Sequence, residues 1–127
     1  ENPWAAIYQP SRKIVTREFF SESINVTKQY ADLITAGEIT NVDDLQPGTG
    51  GVMRKGLHKL AVYKEPGGTV HTRSAICPHL KCVVHWNNVE ATWDCPCHGS
   101  RFACTGELLM GPSTEDLSPA SLDDEKR

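Results

Sequence analysis

The sequence predicts a mostly β fold, a small antiparallel sandwich or barrel behind a helical arm. Three observations carry that expectation. Residues 37–118 alternate short β-prone runs with tight-turn signals at Pro47-Gly48, Glu65-Pro66-Gly67-Gly68 and Asn87-Asn88. Residues 16–36 instead repeat apolar side chains at three- and four-residue spacing. All five cysteines lie between Cys77 and Cys104, which marks one local site rather than a disulfide scaffold.

Composition narrows the classes further. The 127 residues suffice for one domain with an arm. With 39% hydrophobic and 23% charged residues, the chain is neither disordered nor a membrane protein by composition. A net charge of −3 argues against a phosphate-gripping, nucleic-acid partner. The longest apolar runs, such as Leu60-Ala61-Val62-Tyr63, fall far short of the about 20 residues of a spanning helix. The chain opens at Glu1 without a charged-then-apolar leader. It is expected to carry no secretory signal and to be cut from a longer polypeptide.

Taken in order, residues 1–17 read as extended or irregular, broken by Pro3 and Pro10. In the helix, Phe20, Ile24, Thr27, Ala31 and Ile34 form one stripe, and Phe19, Val26, Tyr30 and Leu33 a second flank. Thr16 is a fitting N-cap, Glu18 sits in the first turn, and Gly37 is a stop signal. A helix apolar on two flanks needs something to pack on. Strands are expected at 51–54, 57–64, 69–74, 83–86, 90–94 and 100–102, with hairpins joining the second to the third and the fourth to the fifth. The expected organisation is an arm and linker helix over 1–36, a β domain over 37–118, and a frayed tail over 119–127.

The chemistry concentrates in Cys77-Pro78-His79-Leu80-Lys81-Cys82 and Cys95-Pro96-Cys97-His98-Gly99-Ser100. Each run puts one thiolate and one imidazole on a tight turn behind a strand, so two loops at one end of a β unit offer a four-ligand site. Zinc takes two Cys and two His tetrahedrally. A [2Fe–2S] centre takes the same set, two Cys on one iron and two His on the other. Cys77-x-His79 is tighter than zinc-finger spacing, and Cys82 and Cys97 would be superfluous for zinc. A hydroxyl at Ser100 follows the second loop, and neither a recognition helix nor a basic surface is near.

These two runs resemble the Rieske family, whose loops read Cys-x-His-Leu-Gly-Cys and Cys-x-Cys-His-Gly-Ser. The resemblance spans roughly residues 37–118. It implies an antiparallel fold with a cluster-binding subdomain, a [2Fe–2S] cluster, iron ligands at Cys77, His79, Cys95 and His98, and a Cys82–Cys97 disulfide joining the loops. Gly111-Pro112-Ser113 is similar to the proline loop that covers the cluster in that family. With neutral imidazoles, two ferric ions, two sulfides and two thiolates leave the oxidised cluster uncharged. That is why His₂ in place of Cys₂ lifts the potential, into a range of about −150 to +300 mV. Reduction can couple to proton uptake on the imidazoles.

Two departures matter. Lys81 replaces the family's glycine; its charge either acts on the cluster or an acidic partner, or is simply a solvated loop lysine. Ser100 matches the hydroxyl that donates to a sulfide in respiratory members, but Phe102 stands where those have a tyrosine bonded to a ligand thiolate. The expected potential therefore lies below quinol-oxidising members and above low-potential ferredoxins. Cys104, His58, His71, His85, Met53 and Met110 are expected to be structural, and Trp86 and Trp93 to pack the hairpin beside the loops.

The run Asn2-Pro3-Trp4-Ala5-Ala6-Ile7-Tyr8-Gln9-Pro10-Ser11-Arg12 is similar to the end of the flavin domain in FAD-dependent, amino-acid-oxidase-like oxidoreductases. Some of those carry a C-terminal Rieske domain behind a linking helix, with segments much like Ser74-Ala75-Ile76-Cys77 and Val84-His85-Trp86-Asn87. This resemblance implies an electron-transfer domain that relays electrons one at a time from an upstream FAD to an acceptor. The chain itself would turn over no substrate. A free-standing soluble ferredoxin, or a sensing or structural cluster, are the alternatives. A cytoplasmic location is expected, since a disulfide pinned between two loops can persist there.

Overall fold

The computed structural model describes residues 17–123. Residues 1–16, with the flavin-domain-like run and the Thr16 cap, and residues 124–127 lie outside them.

Helix α1 spans Arg17–Ala31, with Glu18 in its first turn and Lys28 in its last, matching the helix dipole. It stops five residues before the expected end at Ala36, for tertiary reasons. The backbone tightens into i to i+3 bonds at Asp32, Leu33 and Ile34. Beyond them, Arg54 donates to the carbonyls of Ile34 and Thr35, and buried Lys59 donates to that of Ala36. Cations from the β domain thus cap the arm. Phe20 and Ile24, on the apolar stripe, remain more than half exposed.

The β domain has two antiparallel sheets, as expected. Strands β1 (Thr49–Lys55), β2 (His58–Lys64) and β3 (Val70–Ser74) form the first, in that order. Strands β4 (His85–Asn87), β5 (Thr92–Asp94), β6 (Arg101–Ala103) and β7 (Leu108–Met110) form the second. β2 is central and covered on both faces, which explains its unbroken apolar run. Ala61 and Tyr63 join the core that holds Trp93, Phe102 and the cysteine loops; Leu60 and Val62 face a second core with Leu45 and Met53.

Strands β4 and β5 each begin two residues later than expected. Val83 bridges Ile76 instead of opening β4. Glu90 belongs to the turn before β5, where the Asn87 side chain accepts from the backbone N–H groups of Val89 and Glu90. Strand β7 was not anticipated, and Met110 within it is 59% exposed rather than core. The expected tail also packs as far as Leu122: Pro119 bridges Arg73, Lys55 donates to the Leu122 carbonyl, and Ala120 and Leu122 cover the second core.

The sheets meet at an aromatic row. Trp86, Trp93 and Phe102 are successive cross-strand partners over β4, β5 and β6. The Trp86 ring lies 5.0 Å from Trp93 and 5.3 Å from Tyr63 of β2. Gly50 makes this approach possible, because a Cβ there would sit 2.7 Å from the Trp86 ring. The indole pair therefore packs the base of the cysteine loops, as expected. Cys104 is a half-buried thiol beside the Tyr63 hydroxyl.

His85 ties the arm to the loop-bearing sheet. Its Nδ1 lies 2.8 Å from Glu38 and its Nε2 3.1 Å from Asp32. The hydrogen bond to Glu38 raises the His85 pKa above the usual 6.5; burial opposes this, and the Glu38 and Asp32 charges add to it. The His85 bond likewise holds Glu38 below the ordinary carboxylate range. A raised folded-state pKa stabilises fully below the unfolded value and fades as pH rises through the folded one. The melting-temperature advantage of the wild type over H85Q is therefore expected to shrink as pH rises from below the usual 6.5 to above the raised folded-state value. These groups are partly exposed, so the effect is about 0.5–1 kcal/mol. Thermal melts of both proteins across that range check it.

Candidate metal centre

The two loops are built alike. In the first, Cys77 N–H donates to the Cys82 carbonyl at 2.8 Å, and Lys81 N–H to the Cys77 carbonyl at 3.0 Å. In the second, Cys95 N–H donates to the Ser100 carbonyl at 2.8 Å, and Gly99 N–H to the Cys95 carbonyl at 3.0 Å. The fifth residue of each loop takes a left-handed backbone, Lys81 at φ 64° and Gly99 at φ 82°. Here lies the physical reason for a glycine at position 81 in the family pattern, since a lysine there costs about 1–2 kcal/mol. The Lys81 side chain is exposed, with Nζ turned back 3.3 Å from the Pro78 carbonyl.

This shared geometry brings the expected residues together. Cys77 and Cys95 are buried free cysteines, and His79 and His98 are exposed. The imidazoles meet edge-to-face with ring centroids 5.0 Å apart. Burial pushes the Cys95 thiol up, the backbone N–H groups of Cys97 and His98 pull it down, and Cys77 adds to the rise. The thiols face each other and the imidazoles face each other. Among the described residues, no three His, Cys, Asp or Glu side chains gather around one ion-sized point. A two-plus-two division suits a binuclear cluster, and the amide groups aimed at a buried sulfur suit a thiolate ligand. Cys82 and Cys97 form a disulfide that joins the two loops.

Ser100 is fully buried, and its Oγ accepts the Ser113 N–H at 2.9 Å. The hydroxyl keeps its own proton to donate. Ser113 follows the cis Gly111–Pro112 bond, so the proline loop reaches the second loop through this contact. Phe102 is fully buried beneath, paired with Trp93, and offers no hydroxyl. The sequence places Ser113 in the proline loop but does not reveal its bond to Ser100, because a main-chain donor leaves no trace in residue type. Nor does it reveal the role of Tyr30, whose hydroxyl donates to the Leu80 carbonyl at 2.7 Å and so sets α1 against the tip of the first loop. His58 and His71 lie on the other sheet, with His71 paired to Glu65 at 2.7 Å.

A two-sheet antiparallel domain with paired Cys–His loops defines an iron–sulfur class of protein. The chain belongs to the Rieske [2Fe-2S] domain family, whose model matches residues 35–120. It is 34% identical over 127 residues to YhfW of Bacillus subtilis, provisionally named a Rieske 2Fe-2S iron-sulfur protein. That match covers 97% of this chain but 25% of the relative. It is 36% identical over 84 residues to the cytochrome b6-f complex iron-sulfur subunit of Chlorobaculum thiosulfatiphilum, covering 61% of this chain and 46% of that one. The chain thus spans less than half the length of these relatives. Among solved structures, the plasma-membrane Rieske protein PetC3 of Synechocystis PCC 6803 aligns with a TM-score of 0.54 at 28% identity, over 66% of this chain and 85% of that one. A hyperthermophilic respiratory Complex III structure aligns with a TM-score of 0.52 at 20% identity, over 84% of this chain and 92% of the matched chain, a likeness of fold. No helix among the described residues is long and apolar enough to cross a membrane.

Proposed function

We propose that this chain is a one-electron carrier in which Cys77 and Cys95 hold one iron of a Rieske cluster and His79 and His98 the other. The observation that carries the reading is the pairing of two buried thiols and two exposed imidazoles on loops of one design. When bound, the cluster supplies a reversible one-electron couple. The thiols stay dry, while His79 and His98 present ring edges through which a partner exchanges electrons and protons. Ser100 donates its hydroxyl proton toward the cluster and raises the potential. The test is nitrogen hyperfine spectroscopy on the reduced, iron-loaded chain. Two strongly coupled nitrogens are expected; none, or zinc held in preference to iron, overturns the reading.

The hydroxyl carries its own prediction. S100A is expected to lower the midpoint potential by about 60–130 mV, the equivalent of one hydrogen bond to a charged acceptor. An unchanged potential in protein-film voltammetry removes Ser100 from the tuning.

The names of the relatives speak of iron–sulfur proteins and not of a flavin, which favours a carrier in its own right. A second reading, in which an upstream FAD domain feeds the cluster in a cytoplasmic oxidoreductase, has one supporting observation. The Bacillus match runs through the arm as well as the β domain, yet fills only a quarter of that protein. An immunoblot of native extract separates the two. A band near 14 kDa favours the carrier, and a much larger band with flavin absorbance favours the fusion.

A further inference from the structure

The second loop is closed at its neck by a charged pair. Asp94 directly precedes Cys95, Arg101 directly follows Ser100, and the two are register partners between β5 and β6. The Asp94 carboxylate accepts from Arg101 Nε at 3.0 Å and Nη2 at 3.1 Å, a bidentate fork. It also accepts from Asn87 Nδ2 at 2.9 Å and Thr92 Oγ1 at 2.8 Å, so one carboxylate ties β4, β5 and β6. The remaining arm of Arg101 reaches Glu90. The neck of the first loop is instead the apolar bridge of Ile76 and Val83.

We propose that Asp94 and Arg101 are positioning residues: their fork fixes the neck of loop 95–100 so that Cys95, His98 and Ser100 reach the cluster in one arrangement. The proposal rests on the Rieske reading above. About a third of each side chain is exposed. Such a pair adds little to global stability. Its loss should therefore register at the cluster before it registers in a melting curve.

The full chain is loaded with cluster as wild type, D94N, R101K and the neutral pair D94N/R101Q. E65Q, in the similarly exposed Glu65–His71 pair on the β2–β3 turn, is the control. The readouts are cluster release into a chelator and the g-values of the reduced state. D94N turns an amide donor toward the guanidinium, and R101K keeps the charge but loses the fork. Both are expected to release cluster about 10- to 100-fold faster with shifted or broadened g-values, as supporting residues around metal ligands do. D94N/R101Q is expected to recover much of the loss, and E65Q to match wild type. Wild-type release and g-values in both single variants overturn the proposal. An equal effect of E65Q overturns it too, by exposing a generic loss of stability. A wild-type chain that takes up no cluster instead overturns the Rieske reading, and the positioning role with it.

Discussion

Replacing both Cys82 and Cys97 by serine is expected to cost about 3 kcal/mol of stability and roughly 10 °C of melting temperature. The magnitude follows from the separation of the two cysteines, 15 residues. Closing a loop of that length restricts the unfolded chain by about this amount. The double substitution avoids leaving one thiol to scramble with Cys77 or Cys95. The disulfide also has a task beyond its entropy. Among the described residues, each loop is held by two main-chain bonds of its own, and the proline loop bonds to the second loop through Ser113. Cys82 and Cys97 are the covalent tie that keeps the two ligand pairs opposite one another. Cluster release should therefore quicken by more than the melting temperature alone suggests. Thermal melts and chelator release, with and without a strong reductant, check this. Reduced wild type should behave as the variant does. A reduced protein that melts and holds its cluster like the oxidised one assigns the pair no structural role.

What the sequence could reveal followed from local chemistry. The ligand-loop spacing, the hairpin turn at Glu65-Pro66-Gly67-Gly68 and the doubly apolar β2 each write their role into adjacent residue types. The misses share a cause: they are settled by partners far along the chain. Helix α1 ends early because Arg54 and Lys59 capture the carbonyls that follow it. The tail packs because Lys55 and the second core lie beneath Leu122. Strand β7 escaped notice because its residues are apolar yet largely exposed, so no alternation marks a buried face. Lys81 could be seen as a departure, but its left-handed backbone shows only when the two loops are compared bond by bond. The polar fastenings of the site, Ser113 on Ser100 and Arg101 on Asp94, were equally out of reach. A serine or arginine carries no sign of which distant acceptor or donor it will meet.

Substituting cysteine for His79 is expected to lower the midpoint potential by about 100–350 mV. That is about half the gap between Rieske centres and four-thiolate plant-type ferredoxins, since one of the two replacements is made. The reason is charge. A neutral imidazole becomes a thiolate, so the oxidised cluster gains a negative charge and resists the incoming electron. His79 is exposed, which allows water to screen part of this and places the result toward the smaller end. The substitution also removes one of two facing imidazoles, whose rings lie 5.0 Å apart. Protein-film voltammetry of cluster-loaded wild type and H79C reads the two potentials directly. An unchanged potential would remove His79 from the ligands and with it the Cys₂His₂ assignment.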